Sequence, residues 1–533
     1  MLSGQPIIIL KENVERTRGH EAQRSNIMAA KAIAAAVRTT LGPRGMDKML
    51  VSSTGDVVIT NDGATILHEI SVQHPGAKMV VEVAETQDDE VGDGTTTATV
   101  LVGSLMEEAE KLINQKIHPT VIGRGYLLGM EKALEIMEEL AITVDFDDRE
   151  SLLKIAGTAM TGKAIESVRD KVSNLVVDAV MTVADRTGGR VVVDEDDVMI
   201  KKKVGEMMDD VELVRGIVLE SKRVSEQMPR KVKEARVALL AMPLEITKTQ
   251  VKAKIKITSA DQVKAFSQQE QDALKKLADT VVASGANVLL CQKGIADAVQ
   301  FYLAKQGILA VEDVKEKDMK YAARALCATI VNKPEELTPE TLGYAEMAEE
   351  LTDEELIKIS GCQNPKAVTI LLRGSTQLLV DELERAVYDG ARVVQDALED
   401  GKFVVGGGSS ETELVLRIRD YAATIGGRTQ LAIEAFANAF EVIPRTLAEN
   451  SGFDPIDKIV ELKKAHSEGR WYAGLNVYSG EITDMREEGV FEPLRVKTQA
   501  LKSGSETASL LIRVDDMMIT QSSKEKPEMA GMD

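Results

Sequence analysis

Glu90-Val91-Gly92-Asp93-Gly94-Thr95-Thr96-Thr97-Ala98-Thr99-Val100-Leu101 is the stretch on which the reading of this 533-residue chain turns. The glycines flanking Asp93 let the backbone turn and approach a ligand closely. Three consecutive threonines then open a run in which Ala98, Leu101, Leu105, Ala109 and Leu112 share one helical face. A helix N-terminus gathers unpaired amides at the positive end of the helix dipole, and so accepts anions such as phosphates. Asp93 is misplaced beside phosphates unless a cation lies between them. A hard cation such as Mg2+, held by one carboxylate and phosphate oxygens, meets that need. The same residues also suit a plain turn with a threonine N-cap. Three threonines exceed what one cap uses, and the stretch alone leaves both readings open.

Upstream, Ile27, Ala30, Ala34, Val37 and Leu41 fall three or four apart, which predicts a helix over 25–41 that Gly42-Pro43 stops. Leu41-Gly42-Pro43-Arg44-Gly45 is either that stop or backbone presented to a phosphate. Residues 57–60, VVIT, predict a short strand followed by the turn Asn61-Asp62-Gly63, whose Asp either shapes the turn or orients a water or metal shell. Gly157-Thr158-Ala159-Met160-Thr161-Gly162-Lys163 matches GxxxxGK, but Ala164 stands where a phosphate loop of that kind needs Ser or Thr. A true P-loop is therefore not expected, although Thr161 and Lys163 can still reach a phosphate from another geometry. Between about 146 and 213 the texture turns to strands and turns. From about 214 to 366 short apolar runs (237–241, 288–291, 308–311, 329–331) alternate with helices, the pattern of an α/β domain. Within it, 245–282 begins basic and polar and then keeps helical spacing at Val263, Phe266, Ala273, Leu277 and Val281. VTILL at 368–372 reads as a buried strand, and the amphipathic helix after it carries Asp389, which nothing local marks as catalytic. Gly406-Gly407-Gly408-Ser409 is a flexible turn, or a close approach to a nucleotide base.

Composition bounds the answer. A chain this long makes roughly three domains. Hydrophobic residues at 44% and charged residues at 28% indicate a globular protein. Aromatics at 3% with one Trp argue against a single-strand nucleic-acid surface, and a net charge of −21 repels nucleic acid and anionic membrane. The three cysteines, Cys291, Cys327 and Cys362, are dispersed and write neither a disulfide framework nor a CxxC site, which fits a reducing cytoplasm. The start of the chain lacks a signal-peptide pattern, and no apolar run reaches membrane-spanning length. Five scattered His and no HExxH leave a zinc site unsupported, and no GxSxG elbow occurs.

Taken in order, the segments TLGPRGMDKML (40–50), ITNDGATIL (59–67), EVGDGTTTATVL (90–101), AMTGK (159–163), NPKAVTILLRG (364–374), GGGSSETEL (406–414), EVIPRTLAENSG (441–452), AGLNV (473–477) and EPLRVKTQA (492–500) resemble a group II chaperonin subunit of the archaeal thermosome type, over nearly the full length. The resemblance implies a chaperonin fold with three domains. A mainly α-helical equatorial domain (1–145 and 403–533) would bind ATP. A small α/β intermediate domain (146–213 and 367–402) would act as a hinge. An α/β apical domain (214–366) would bind client protein, with a helical lid protrusion at about 245–282. It implies an ATP-dependent chaperone that hydrolyses ATP with Mg2+, encloses unfolded clients, and assembles with identical or paralogous subunits into a double ring of about eight or nine per ring.

Residue by residue, the resemblance makes Asp93 the magnesium ligand. It makes Gly94, Thr95, Thr96 and Thr97 the phosphate loop, with Leu41, Gly42, Pro43 and Gly63 around it. Asp62 and Asp389 become the acids that position and activate water, which suits phosphoryl transfer, where in-line water placement matters most. Thr161, Gly162 and Lys163 become the γ-phosphate sensor. Gly407, Gly408, Asn476, Val477, Tyr478 and Glu492, with Lys497 beside them, become the base and ribose pocket. Two departures stand out: the tail keeps only Met529-Ala530-Gly531-Met532 of the Gly-Gly-Met repeats common in the family, and 347–362, MAEELTDEELIKISGC, reads as more acidic and helical than the strand usual there. The competing readings are an inactive ring scaffold, against which the three acids stand, and a P-loop kinase, against which Ala164 stands.

Overall fold

The computed structural model of the protein describes residues 14–52, 55, 57–163, 166–188, 190–205, 210–246, 260–363 and 365–520. The chain divides into two units, Met1–Lys163 with Asp400–Asp533, and Ala164–Glu399. The first arm of unit 1 runs β1 (Val14–Arg18), α1 (His20–Arg38), β2 (Lys48–Val51), β3 (Val57–Thr60), α2 (Gly63–Glu69), α3 (Pro75–Val91), α4 (Thr95–Asn114), α5 (Pro119–Leu140), β4 (Ile142–Thr143) and α6 (Arg149–Met160). The helix expected over 25–41 thus begins earlier, at His20. Its apolar stripe buries Ile27, Ala30, Ile33, Ala34 and Val37. The helices α3 and α5 both start on a proline behind a capping histidine, His74 or His118, whose ring accepts a first-turn amide.

Unit 2 carries α7 (Arg169–Val183), β5 (Asp185–Thr187), β6 (Arg190–Val192), β7 (Val198–Val204), β8 (Glu212–Val214), β9 (Gly216–Leu219), β10 (Lys231–Leu240), α8 (Ala260–Ala283), β11 (Val288–Cys291), α9 (Asp297–Lys305), β12 (Leu309–Val311), α10 (Glu316–Leu326), β13 (Ile330–Val331), β14 (Gly343–Leu351), β15 (Leu356–Cys362), β16 (Val368–Gly374) and α11 (Gln377–Asp400). A mixed sheet of order β12-β11-β10-β14-β15-β9, with β13 beside β10, has its apolar strands buried between two clusters of side chains. A smaller sheet, β7-β16-β8, holds the VTILL strand, buried along its whole length. Of the segment 245–282, residues 247–259 lie outside the described residues. In α8 the described side chains from Lys264 to Ala273 are exposed, Phe266 among them, and only the C-terminal part, Ala278 and Val281, packs inward.

The helical expectation for 347–362 is corrected here: the segment is a hairpin of β14 and β15, with Ala348 opposite Ile359 and Leu351 opposite Leu356. Its many glutamates favour helix locally, but each finds a cation on a neighbouring element. Glu349 meets Lys231, Glu350 meets Arg223, Glu354 meets Arg373 and Glu355 meets Lys222. Buried Ala345, Ala348, Ile357 and Ile359 pack the hairpin into an apolar cluster of the sheet, and tertiary partners override propensity.

The chain then returns to unit 1 through β17 (Lys402–Val405), α12 (Ser409–Ile425), α13 (Gly427–Ala439), α14 (Val442–Asn450), α15 (Pro455–Ser467), β18 (Ala473–Leu475), β19 (Ile482–Asp484), α16 (Met485–Glu488), β20 (Phe491–Pro493), α17 (Leu494–Arg513) and β21 (Asp516–Thr520). The two arms are built into one body. The strand β1 pairs antiparallel with β21, β17 lies between β20 and β4, and one apolar core draws on both arms. Tyr126 of α5 stacks on Phe436 of α13 at 5.6 Å, and Phe440 continues the stack at 5.1 Å. A fully buried side chain of this size contributes about 1.5–3 kcal/mol, so these contacts fix how the arms meet.

Candidate functional site

The helix α3 ends on Gly92 and α4 begins after Gly94, both left-handed at φ 66° and 80°, so Asp93 sits on a tight corner between two helix ends. No side chain caps α4. The amides of its first turn have no acceptor within the helix. Asp93 folds its Oδ1 back onto the Gly94 amide at 2.7 Å. Asp62 caps α2, accepting from the Thr65 amide at 2.7 Å, and its other oxygen accepts from Thr95 Oγ1 at 3.2 Å. A Cβ on Gly63 would lie 2.6 Å from Thr96 Oγ1 and 2.8 Å from Thr96 N, so the turn at 61–63 presses directly on the threonine loop.

The loop at 161–163 joins them. A Cβ on Gly162 would lie 2.9 Å from Pro43 Cα, and the Gly162 carbonyl accepts from Asn61 Nδ2 at 2.7 Å. Leu41, Gly42 and Pro43 thus face Thr161, Gly162 and Lys163 within unit 1. The GxxxxGK match is not a P-loop: its first four residues, Gly157 to Met160, are the end of α6, whereas a P-loop follows a strand and opens a helix.

A second wall forms around Gly407 and Gly408, where Gly408 leads into α12, again without a side-chain cap. The Leu475 amide donates to the Gly407 carbonyl at 2.9 Å, which sets β18 and the following Asn476, Val477 and Tyr478 beside it. Asn476 Oδ1 accepts from the amides of Tyr478 and Ser479 at 3.0 and 3.1 Å, closing a turn that leaves Tyr478 exposed. Arg44 lies over the Tyr478 ring at 5.1 Å and so links this wall to the 41–45 loop. The helix α14 backs both walls: Pro444 lies behind Gly408, Leu447 behind Gly42, and Asn450 Nδ2 donates to the Leu41 carbonyl at 2.9 Å.

Charge is concentrated here. Burial pushes the Asp93 carboxyl above its ordinary value, with Asp62 adding to it and Lys163, the Gly94 amide and Lys497 opposing. Asp88, one turn before the corner, is pushed up to about 6 by burial and by Asp62, Asp89 and Asp93, against Lys163. The site therefore holds an excess of carboxylate that a bound cation would relieve. Among the described residues no three acidic, His or Cys side chains close on one point. That donor set fits a Mg2+ held by one carboxylate with its other ligands from phosphate and water, and does not fit an all-protein metal cage.

Behind the corner, Lys497 Nζ bonds Glu411 at 2.7 Å and Glu492 at 2.8 Å in a nearly dry setting. Burial works to lower the Lys497 ammonium, but the two carboxylates more than reverse that and hold it above its ordinary value. Gln87 joins this triad's helix to the corner, its Nε2 donating to the carbonyls of Asp93 at 2.9 Å and Val496 at 3.0 Å. The Gln87 side chain is fully buried, and its Oε1 has no hydrogen-bond partner among the described residues.

Unit 1 thus brings together Asp62, Asp93, the 41–43, 94–97 and 161–163 segments, and the Gly407, Asn476 and Glu492 wall. Asp389 belongs to unit 2, where it is buried on α11. Sequence reasoning missed Asn61, Gln87, Asp88, Glu411 and Asn450. In TQDDE (86–90) the polar run looks like a solvated helix face, and nothing local shows that α17 covers Gln87.

A model of the TCP-1/cpn60 chaperonin family matches residues 33–522. The thermosome subunit alpha of Archaeoglobus fulgidus is 54% identical over 519 residues, covering 97% of this chain and 95% of that protein. A thermosome subunit of Methanopyrus kandleri is 54% identical over 517 residues, with 97% and 95% covered, and one of Pyrococcus abyssi is 52% identical over 529 residues, with 99% and 96% covered.

Proposed function

The chain belongs to the TCP-1/cpn60 chaperonin family and is a group II chaperonin subunit that assists protein folding; we propose that unit 1 binds ATP with Mg2+ and that its hydrolysis drives the folding cycle. The observation that carries this reading is the uncapped N-terminus of α4, crowded on by the 61–63 turn that also contacts its first threonines, beside a carboxylate held above its ordinary value.

Asp93 holds the Mg2+ that accompanies the nucleotide and that neutralises charge on the phosphates. The amides and hydroxyls of Gly94, Thr95, Thr96 and Thr97 take the phosphates, with Leu41, Gly42, Pro43 and Gly63 closing the opposite side. Asp62, already aimed by its cap bond to Thr65, orients the attacking water, and Asp389 is the second acid. Thr161, Gly162 and Lys163 read the γ-phosphate. Gly407, Gly408, Asn476, Val477 and Tyr478 receive base and ribose, and Lys497 serves by holding Glu492 in place.

On this reading unit 1 corresponds to an equatorial domain (1–145 and 403–533), and the rest to a hinge (146–213 and 367–402) and an apical client-binding domain (214–366) with a lid near 245–282. Contact with the γ-phosphate, present in one conformation and absent in the other, is the differential interaction that shifts the hinge. The subunits form a double ring, of identical or paralogous copies, in the cytoplasm. Cys291 and Cys362 are buried, and no described helix is long and apolar enough to cross a membrane. ATP turnover of purified protein tests the site: Asp93→Asn is expected to lower it by about a hundredfold or more, the scale of losing a pre-organised charge at a phosphoryl site. Turnover at the wild-type rate in that variant refutes the assignment. Electron microscopy with and without ATP tests the cycle, with rings whose ends close only with ATP as the expected result.

A further inference from the structure

His466, on α15, is buried with no side-chain exposure. Its Nε2 lies 2.8 Å from the Ala473 carbonyl oxygen, and its Nδ1 lies 2.6 Å from Glu413 Oε2. A carbonyl oxygen can only accept, so Nε2 must carry a proton. Glu413 receives a second donor on its other oxygen, Arg417 Nε at 2.6 Å. Burial pushes the Glu413 carboxyl up, yet the bonds from His466 and Arg417 more than offset this and hold it below its ordinary value. Glu413 thus bridges the His466 ring and Arg417, with one oxygen toward each.

The ring's partners lie on structure already described. Glu413 and Arg417 are on α12, which Gly407 and Gly408 lead into. Ala473 begins β18, which runs into Asn476, Val477 and Tyr478. Two further ties join the same pieces: Ser409 Oγ donates to the Trp471 carbonyl at 3.0 Å, and Arg417 lies over the Trp471 ring at 4.9 Å. Glu139 of α5 also meets Arg417, accepting from its guanidinium at 3.0 Å.

We infer that His466 acts as a positioning residue for the base and ribose wall, clamping β18 to α12 through both of its ring nitrogens. This rests on the nucleotide reading of unit 1. The Nε2–H bond to the Ala473 carbonyl is the tie to β18, and the Nδ1 contact with Glu413 is the tie to α12.

Two amides separate the bonds: His466→Gln places a donor near the Nε2 position, toward Ala473, and His466→Asn places one near Nδ1, toward Glu413 only. In steady-state ATP turnover by the full chain, His466→Asn is expected to raise KM about tenfold with kcat within about twofold, the scale of losing one hydrogen bond in a buried setting. His466→Gln is expected to keep KM near wild type. Equal KM in the two variants overturns the positioning role. If the wild type turns over no ATP, the reading of unit 1 as an ATPase fails, and amide hydrogen exchange still decides the tie: protection of the β18 amides is expected to fall in His466→Asn and to be kept in His466→Gln, and equal protection overturns it.

Discussion

Gly63→Ala tests the contact on which the phosphate reading rests. The new methyl carbon would lie 2.6 Å from Thr96 Oγ1, 2.8 Å from Thr96 N and 3.0 Å from Thr95 Oγ1, whereas ordinary contact begins near 3.4 Å. A hydroxyl can rotate away, but the Thr96 nitrogen is backbone, so the turn and the first turn of α4 must part by roughly 0.6 Å. The Thr95 to Asp62 bond, already 3.2 Å, does not survive that separation. Overpacking of this kind costs about 1–3 kcal/mol. Ala is favoured over Gly in a helix by up to about 1 kcal/mol, so global stability changes little. Function is expected to change much more, because displacement approaching 1 Å in a phosphoryl site costs up to about a hundredfold. The assay pairs ATP turnover and fluorescent-ADP binding with the apparent melting temperature of the nucleotide-free protein. The expected result is turnover down tenfold to a hundredfold with melting shifted by only a few degrees. Adding Thr96→Ala is expected not to rescue, since the backbone nitrogen remains. Turnover within threefold of wild type would show that α4 does not take the phosphates where this contact places them.

Gln87→Leu keeps volume but leaves the Asp93 and Val496 carbonyls without their donor, and is expected to cost roughly 2–4 kcal/mol in denaturant unfolding monitored on unit 1; a loss below about 0.5 kcal/mol would mean that Gln87 does not tie α17 to the corner. Lys497→Met strands the buried Glu411 and the partly buried Glu492 and is expected to destabilise by about 3 kcal/mol, with Glu411→Gln in the same chain recovering part of it; an additive double variant argues against a coupled triad. Asp88, pushed up to about 6, binds a proton more readily folded than unfolded, so its contribution to stability grows as pH falls through 6 toward 4 and is a penalty of at most about 3 kcal/mol at pH 7. Asp88→Asn is therefore expected to raise the melting temperature of nucleotide-free protein at pH 7 and to flatten the rise on acidification. A lower melting temperature at pH 7 contradicts the sign.

Local chemistry made part of the site legible. Gly-Asp-Gly before a helix offers a candidate anion site, with its need for a cation, beside the plain capped turn it equally suits, and Asn61-Asp62-Gly63 names a turn. That the turn presses on the threonines 33 residues later, with Asp62 accepting from Thr95, is a fact of packing that neither segment states alone. The hairpin at 347–362 was hidden for the opposite reason. Its glutamates speak for helix locally, and the cations that make them strand residues lie on other elements, such as Lys231 and Arg223. Gln87 and His466 were silent because a polar residue on an amphipathic helix is usually solvated, and it is α17, hundreds of positions away, that meets Gln87 and β18 that meets His466. Asp389 remains the converse case, since its role rests on resemblance and its environment on α11 belongs to another unit.

This division has a physical cause that bears on the mechanism. A site assembled from both arms of a chain can be built only after residues 14–163 and 400–520 have folded against one another, through β1 with β21 and the shared aromatic stack. The residues that make that assembly rigid are the buried polar ones, Gln87, Lys497 and His466, each bridging an element of one arm or one wall to another. Their bonds replace what a continuous local motif would supply in a P-loop protein, where strand, turn and helix are consecutive. The chain leaves unit 1 after Lys163 and re-enters it at Asp400, with unit 2 inserted between these two exits. One of those exits carries the Thr161-Gly162-Lys163 loop, held against Pro43 and Asn61. A ligand that pulls on Lys163 acts at the point where the chain crosses between units. Replacing Asn61 by Ala, which removes its 2.7 Å bond to the Gly162 carbonyl, is therefore expected to slow ATP turnover more than it weakens fluorescent-ADP binding, and an equal loss in both assays would count against a separate role for this loop.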